Sequence, residues 1–219
     1  MSGDPRPLRP KGISIDYWQS PISTKGVVLL SISLSLVCVV LVISFSHYPF
    51  YSCCFSQLSA AIRHWDFKDL DPSPPKELWG YPYLSALVAA ITRLPDDYAI
   101  VLVSSVMFVL ANYLCSRLWE AGVAVWFTVV SWAGLDSAVE GLTEPLFMAP
   151  LCGSFLAMRK QRWALSALLA SGATIVRPVG IFALVAIGLL LLSRQEMRRL
   201  IVAGAIALAV GCHIYTAHV

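Results

Sequence analysis

Long apolar runs separated by short polar or basic punctuation organise almost the whole chain. They predict helices near 26–46, 98–116, 121–139, 143–158, 163–176, 179–193 and 200–216, with a shorter run at 81–92. The stretch from 50 to 63 is different, because Phe50, Cys54, Leu58 and Ile62 recur at helical spacing among polar residues. That spacing predicts a short amphipathic helix inside the one long polar connection, 47–80. The expected class is all-α.

Composition turns these helices into membrane elements. Charged residues make up 13% of the 219 residues and hydrophobic ones 58%, against about 25% charge in a soluble domain. The expected architecture is a multipass transmembrane bundle of about seven spanning helices, with residues 1–25 as a cytoplasmic segment and 26–219 as a single membrane domain. Several runs fall short of the roughly 20 residues that cross a hydrocarbon core.

The net charge of +3 comes from short loops, which reads as orientation and excludes a nucleic-acid surface. Arg6, Arg9, Lys11 and Lys25 place the amino terminus in the cytoplasm, together with the loops at Arg159–Arg162 and Arg194–Arg199. Loop 47–80 and the turns at Thr143–Glu144 and Arg177–Gly180 then fall outside. Both the helix before 81–92 and the one after it join at the outer side, so this run is expected to be re-entrant or interfacial; the alternative is that it crosses, which inverts every helix downstream. Trp18, Trp65, Trp79, Trp119 and Trp163 near helix ends read as interfacial anchors. Trp126 and Trp132 read as packing residues, as do Ser171, Gly172 and Ala173.

Charges inside the apolar runs carry the candidate chemistry. Glu144 lies fifteen residues before Arg159, and Arg177 lies fifteen after Arg162. Each therefore stands about 22 Å from the same basic turn at 1.5 Å per residue. The two share a level below the outer surface, where an unpaired charge costs at least about 2.5 kcal/mol. Asp136 and Glu140, one turn apart, approach that level on the preceding segment. Two readings remain open: an ion pair that fixes two helices together, or a polar pocket in which the guanidinium binds a phosphate and a carboxylate removes a proton. A transporter pocket contains similar groups, but the apolar pattern shows no two-fold repeat.

Four short motifs, "LWGYPYLSAL" at 78–87, "TEPLF" at 143–147, "MRKQRW" at 158–163 and "RPVG" at 177–180, occur in this order. Together they resemble the amino-terminal half of GT-C class polytopic glycosyltransferases, such as the mannosyltransferases that use dolichyl or polyprenyl phosphate sugars. The resemblance covers roughly residues 26–195. It implies a lipid-phosphate-linked sugar as donor, membrane lipids as surroundings, and a site on the non-cytoplasmic face with an acidic base in the first outer loop. Some members use a divalent cation, although no spacing here matches a ligand set. The stretch after the first helix contains no acid until Asp66, Asp69 and Asp71, so Asp66 and Asp69 join Glu144 as the catalytic candidates. Arg177, Asp136 and Glu140 are the substrate-binding candidates. Members of the class commonly continue into further helices, which makes a partner subunit completing the carboxy-terminal half an expectation, and makes a non-catalytic scaffold the alternative reading.

Overall fold

The structure, a computed structural model, describes residues 23–45, 53–66, 80–130 and 143–217. Among these residues there are nine α-helices and no strand. They are α1 (Thr24–Phe45), α2 (Cys53–His64), α3 (Gly80–Thr92), α4 (Asp96–Leu118), α5 (Ala121–Val130), α6 (Glu144–Arg159), α7 (Trp163–Val176), α8 (Ile181–Ser193) and α9 (Met197–Ala217). A 3-10 turn, Pro178–Gly180, joins α7 to α8. The all-α class is as expected, and the helices begin and end within a few residues of the apolar runs. For the run expected at 121–139, the part beyond Val130 lies outside the described residues.

Local chemistry sets these ends. Helix α4 starts after Pro95 with Asp96 and Asp97 in its first turn and carries Arg117 in its last, charges that complement the helix dipole at both ends. Helix α6 has Glu144 and Pro145 in its first turn and Arg159 in its last. The turns after α6 and α8 each pass through a left-handed residue, Gln161 (φ 56°) and Gln195 (φ 57°), which reverses the chain.

Side-chain contacts fix the directions. The Arg159 guanidinium donates to the Leu118 carbonyl at 2.7 Å, so α4 and α6 finish at the same end of the bundle and run parallel. Val27 clusters with Cys115 and Ala124, while Leu34 and Cys38 pack on Phe108. Helix α1 therefore starts at the Arg159 end and runs against α4. Between α6 and α7, Ser154 and Ser166 exchange hydrogen bonds, each hydroxyl donating to the other's backbone carbonyl at 2.9 Å.

Helix α3 enters the bundle only part-way. The Tyr81 hydroxyl lies 2.6 Å from the Ser104 hydroxyl and donates to the Ile100 carbonyl at 3.2 Å. Tyr81 thus stands about two turns, or roughly 12 Å, down α4 from Asp96. From there α3 returns to the start of α4, and it occupies the Glu144 end of the bundle alone.

Ser31, Ser35, Ser85, Ser104, Asn112, Ser154, Ser166 and Ser171 are buried, together with many alanines, while Leu29, Leu36, Val40, Leu87, Leu189, Ile201 and Leu208 face outward. Small and hydroxylated residues let helices approach closely and bond across the contact. Among the described residues α4 is the one helix long and apolar enough to cross a membrane; the described apolar stretches of α1, α3, α7 and α8 are shorter.

Three smaller expectations are corrected. Trp126 is 60% exposed, because on the short helix α5 it points away from Ala124 and Thr128, whose face is buried. Trp163 is buried in a cluster with Ala167, Ile187 and Leu191, and the Arg194 guanidinium covers its ring at 5.6 Å. Gly172 makes no close approach; a methyl group there meets nothing within 4 Å.

Candidate functional site

The site begins with a proline. Pro178 disfavours helical geometry at the residue before it, and Arg177 is accordingly extended (φ −142°, ψ 132°) while its backbone N–H still closes the last turn of α7 on the Ala173 carbonyl at 2.9 Å. This exit presents the guanidinium to the start of α6. Gly180 makes the tight turn fit, since a Cβ there would stand 2.6 Å from the Thr174 nitrogen and 2.8 Å from the Ala173 carbonyl carbon.

On the facing side, Thr143 occupies the N-cap of α6 and its carbonyl accepts the Phe147 N–H at 2.9 Å. Its hydroxyl makes no capping bond. It accepts instead from Arg177 Nε at 3.0 Å. Arg177 Nη2 donates to Glu144 Oε1, completing an ion pair whose side chains are each 35% exposed. Glu144 is the first residue of α6, where the dipole favours a carboxylate by about 0.3–1 kcal/mol.

Each partner keeps unused capacity. Glu144 Oε2 is buried and has no hydrogen-bond partner among the described residues. Arginine has five N–H donors in a fixed fork, and the bonds to Thr143 and Glu144 occupy two of them. Beneath the pair, Leu146 and Val176 cluster with Tyr81, Ile100 and Val103, and Phe55 meets the Tyr81 ring edge-on at 5.1 Å. The sequence segments around 80–82, 143–147 and 177–180 therefore converge at one end of the bundle, while the basic turn at 159–162 lies at the other.

Of the remaining candidates, Asp66 is exposed just past the end of α2, its backbone N–H bonded to the Ala61 carbonyl at 3.1 Å. It belongs to a different element from the Glu144–Arg177 pair, whose side-chain bonds among the described residues run to Thr143 and to each other. Asp69, Asp136 and Glu140 lie outside the described residues. Among the described residues no group of three His, Cys, Asp or Glu side chains stands close enough to hold a metal ion.

A second paired acid went unrecognised in the sequence. Asp96 accepts from the Ser59 hydroxyl at 2.8 Å and from the Arg63 guanidinium at 2.6 Å, and this clasp holds α2 against the start of α4. The available signal was the four-residue spacing of Ser59 and Arg63 on one face of an amphipathic helix, with an acid at the next helix start.

No protein-family model matches the chain, and no curated protein or solved structure matches it either.

Proposed function

We propose that the chain is a multipass membrane protein with a GT-C-like core, and that Glu144 and Arg177 form the centre of a site that transfers a sugar from a lipid phosphate to an acceptor hydroxyl. The membrane reading rests on the large apolar side chains exposed on the helices, among them Leu36, Leu87, Leu189 and Leu208, and on the small hydroxyl residues packed between helices. The reading of the site rests on one observation, the pairing of Arg177 with Glu144 in which, among the described residues, Oε2 and three N–H donors have no partner.

In this reading the acceptor hydroxyl gives its proton to the Glu144 carboxylate while its oxygen bonds to the anomeric carbon. The bond from that carbon to the phosphate oxygen breaks, and the uncommitted N–H groups of Arg177 receive the departing phosphate. Charge moves away from the sugar and toward a donor already in place, which is the arrangement that lowers a barrier electrostatically. Thr143 holds the guanidinium plane, and the segment joining α7 to α8 fixes its height. Asp66 and Asp69 remain secondary candidates for the base.

The ion pair itself favours a second reading. Two helices joined at their ends by a carboxylate and a guanidinium also describe a non-catalytic scaffold, in which the same contacts set helix position and nothing turns over. Membranes containing the chain, supplied with radiolabelled mannosyl phosphoryl polyprenol, separate the two. Transfer above that of membranes without the chain, reduced about a hundredfold or more in Glu144→Gln with the protein still folded, supports the transferase. No transfer above that background, or transfer indifferent to Glu144, Asp66 and Asp69, leaves the scaffold.

A further inference from the structure

From Leu146 near the start of α6 to Lys160 just past its end, α4, α6 and α7 leave a half-open cavity of about 400 Å³. Its walls are hydrocarbon: Met107, Leu110 and Leu114 from α4, Ala149 and Gly153 from α6, and Leu169 from α7. Among the described residues the charged members of the lining are Lys160 and Arg162, which stand together at one end. The cavity exists because α6 contributes small side chains where it faces α4 and α7; a Cβ on Gly153 would already stand 3.2 Å from the Leu169 side chain.

Three cations occupy this turn, and they divide their work. Arg159 is committed to the Leu118 carbonyl. Lys160 and Arg162 are exposed, with no side-chain hydrogen bond or ion pair among the described residues. The fourteen residues between Leu146 and Lys160 span about 21 Å of helix, enough to cover the roughly 15 Å of one leaflet's hydrocarbon. An apolar channel as deep as a leaflet, ending in two unpaired cations at the headgroup level, is complementary to one kind of occupant.

We propose that this groove binds an anionic phospholipid of the leaflet at the Arg159 end, its acyl chain lying along Gly153 and its phosphate held by Lys160 and Arg162. This rests on the membrane reading above and not on sugar transfer: the cations that would hold the phosphate, Lys160 and Arg162, lie at the opposite end of the bundle from Glu144 and Arg177, although the groove's apolar wall reaches Leu146. The lateral opening lets a lipid enter from the bilayer. Its phosphate completes the charge of the turn that joins α6 to α7, so the bound lipid steadies the two helices that carry Glu144 and Arg177 at their far ends.

The test uses the whole chain reconstituted into nanodiscs of phosphatidylcholine with equal low fractions of phosphatidylglycerol or palmitate, with retained lipid counted by native mass spectrometry. Retention of phosphatidylglycerol over phosphatidylcholine is expected, falling about fivefold for each cation removed and about twenty-five-fold in Lys160→Gln/Arg162→Gln. Leu110→Trp, at the exposed lip, should lower retention while leaving the helical circular dichroism intact; it keeps the groove testable if Gly153→Leu fails to fold. Equal retention of the two phospholipids, an unchanged preference in the double variant, or palmitate retained as well as phosphatidylglycerol overturns the proposal. Alkaline carbonate extraction of the chain from native membranes reports separately on the membrane reading: release into the supernatant defeats that reading, whereas lipid results that fail on a retained protein defeat the groove alone.

Discussion

Gly80 abuts Ile175 so closely that a Cβ on Gly80 would lie 2.7 Å from Ile175 Cγ2 and 3.1 Å from the Ile175 carbonyl oxygen. The contact places the start of α3 beside the last turn of α7, two residues before Arg177. Gly80→Ala must push α3 outward or shift α7, at a cost of about 1–3 kcal/mol for an overpacked site. A lowered thermal midpoint checks this, and the loss should exceed that of Gly172→Ala, where the space is open.

Arg177 has two partners and Glu144 has one, so their removal should differ. Arg177→Met strips both Glu144 and Thr143 of a donor, whereas Glu144→Gln leaves the bond to Thr143 in place. Because both side chains are about one-third exposed, solvent screening limits the coupling in a double-mutant cycle to about 0.5–1 kcal/mol. Denaturant titration of the four proteins should show Arg177→Met as the more costly single change.

Ser154 and Ser166 bind reciprocally between α6 and α7. Valine at either position removes one hydroxyl and adds volume between two close backbones. A cycle of Ser154→Ala and Ser166→Ala, which avoids the added volume, should give a coupling of about 0.6 kcal/mol, with about 1.7 as the upper limit. Zero coupling by unfolding titration would mean that shape alone holds these helices together.

Asp96 binds Ser59 and Arg63 from α2. Charge-assisted bonds of this kind contribute about 1.5–3 kcal/mol when shielded, and Asp96 is 11% exposed on its side chain. Asp96→Asn should release α2 from α4 while sparing α6 and α7. Hydrogen exchange is the direct readout: amides of 55–64 should exchange faster, and those of 163–176 should not change.

The helices were legible because each apolar run ends in chemistry that stops a helix, such as Pro95 before α4 or the Arg177–Pro178 pair after α7. The level of Glu144 and Arg177 was legible for a simpler reason: both count fifteen residues from one shared turn, so helix rise alone sets them side by side. Interhelical partners were not legible. Thr143, Ser154 and Tyr81 are ordinary hydroxyl residues in sequence, and only packing shows which of them meets a partner. The groove was hidden in the same way, since nothing in the spacing of Leu110, Ala149, Gly153 and Leu169 shows that they line one cavity. The pairing of Asp96 with Arg63 depends on where an amphipathic helix docks, which periodicity does not specify.

Arg177 leaves the helix because a pyrrolidine ring follows it, and no counter-ion is needed to put it there. Its location is thus inherited from covalent chemistry in the chain itself. The acid opposite could be exchanged during evolution, for an amide or for a bound anion, and the guanidinium would still wait at the same height.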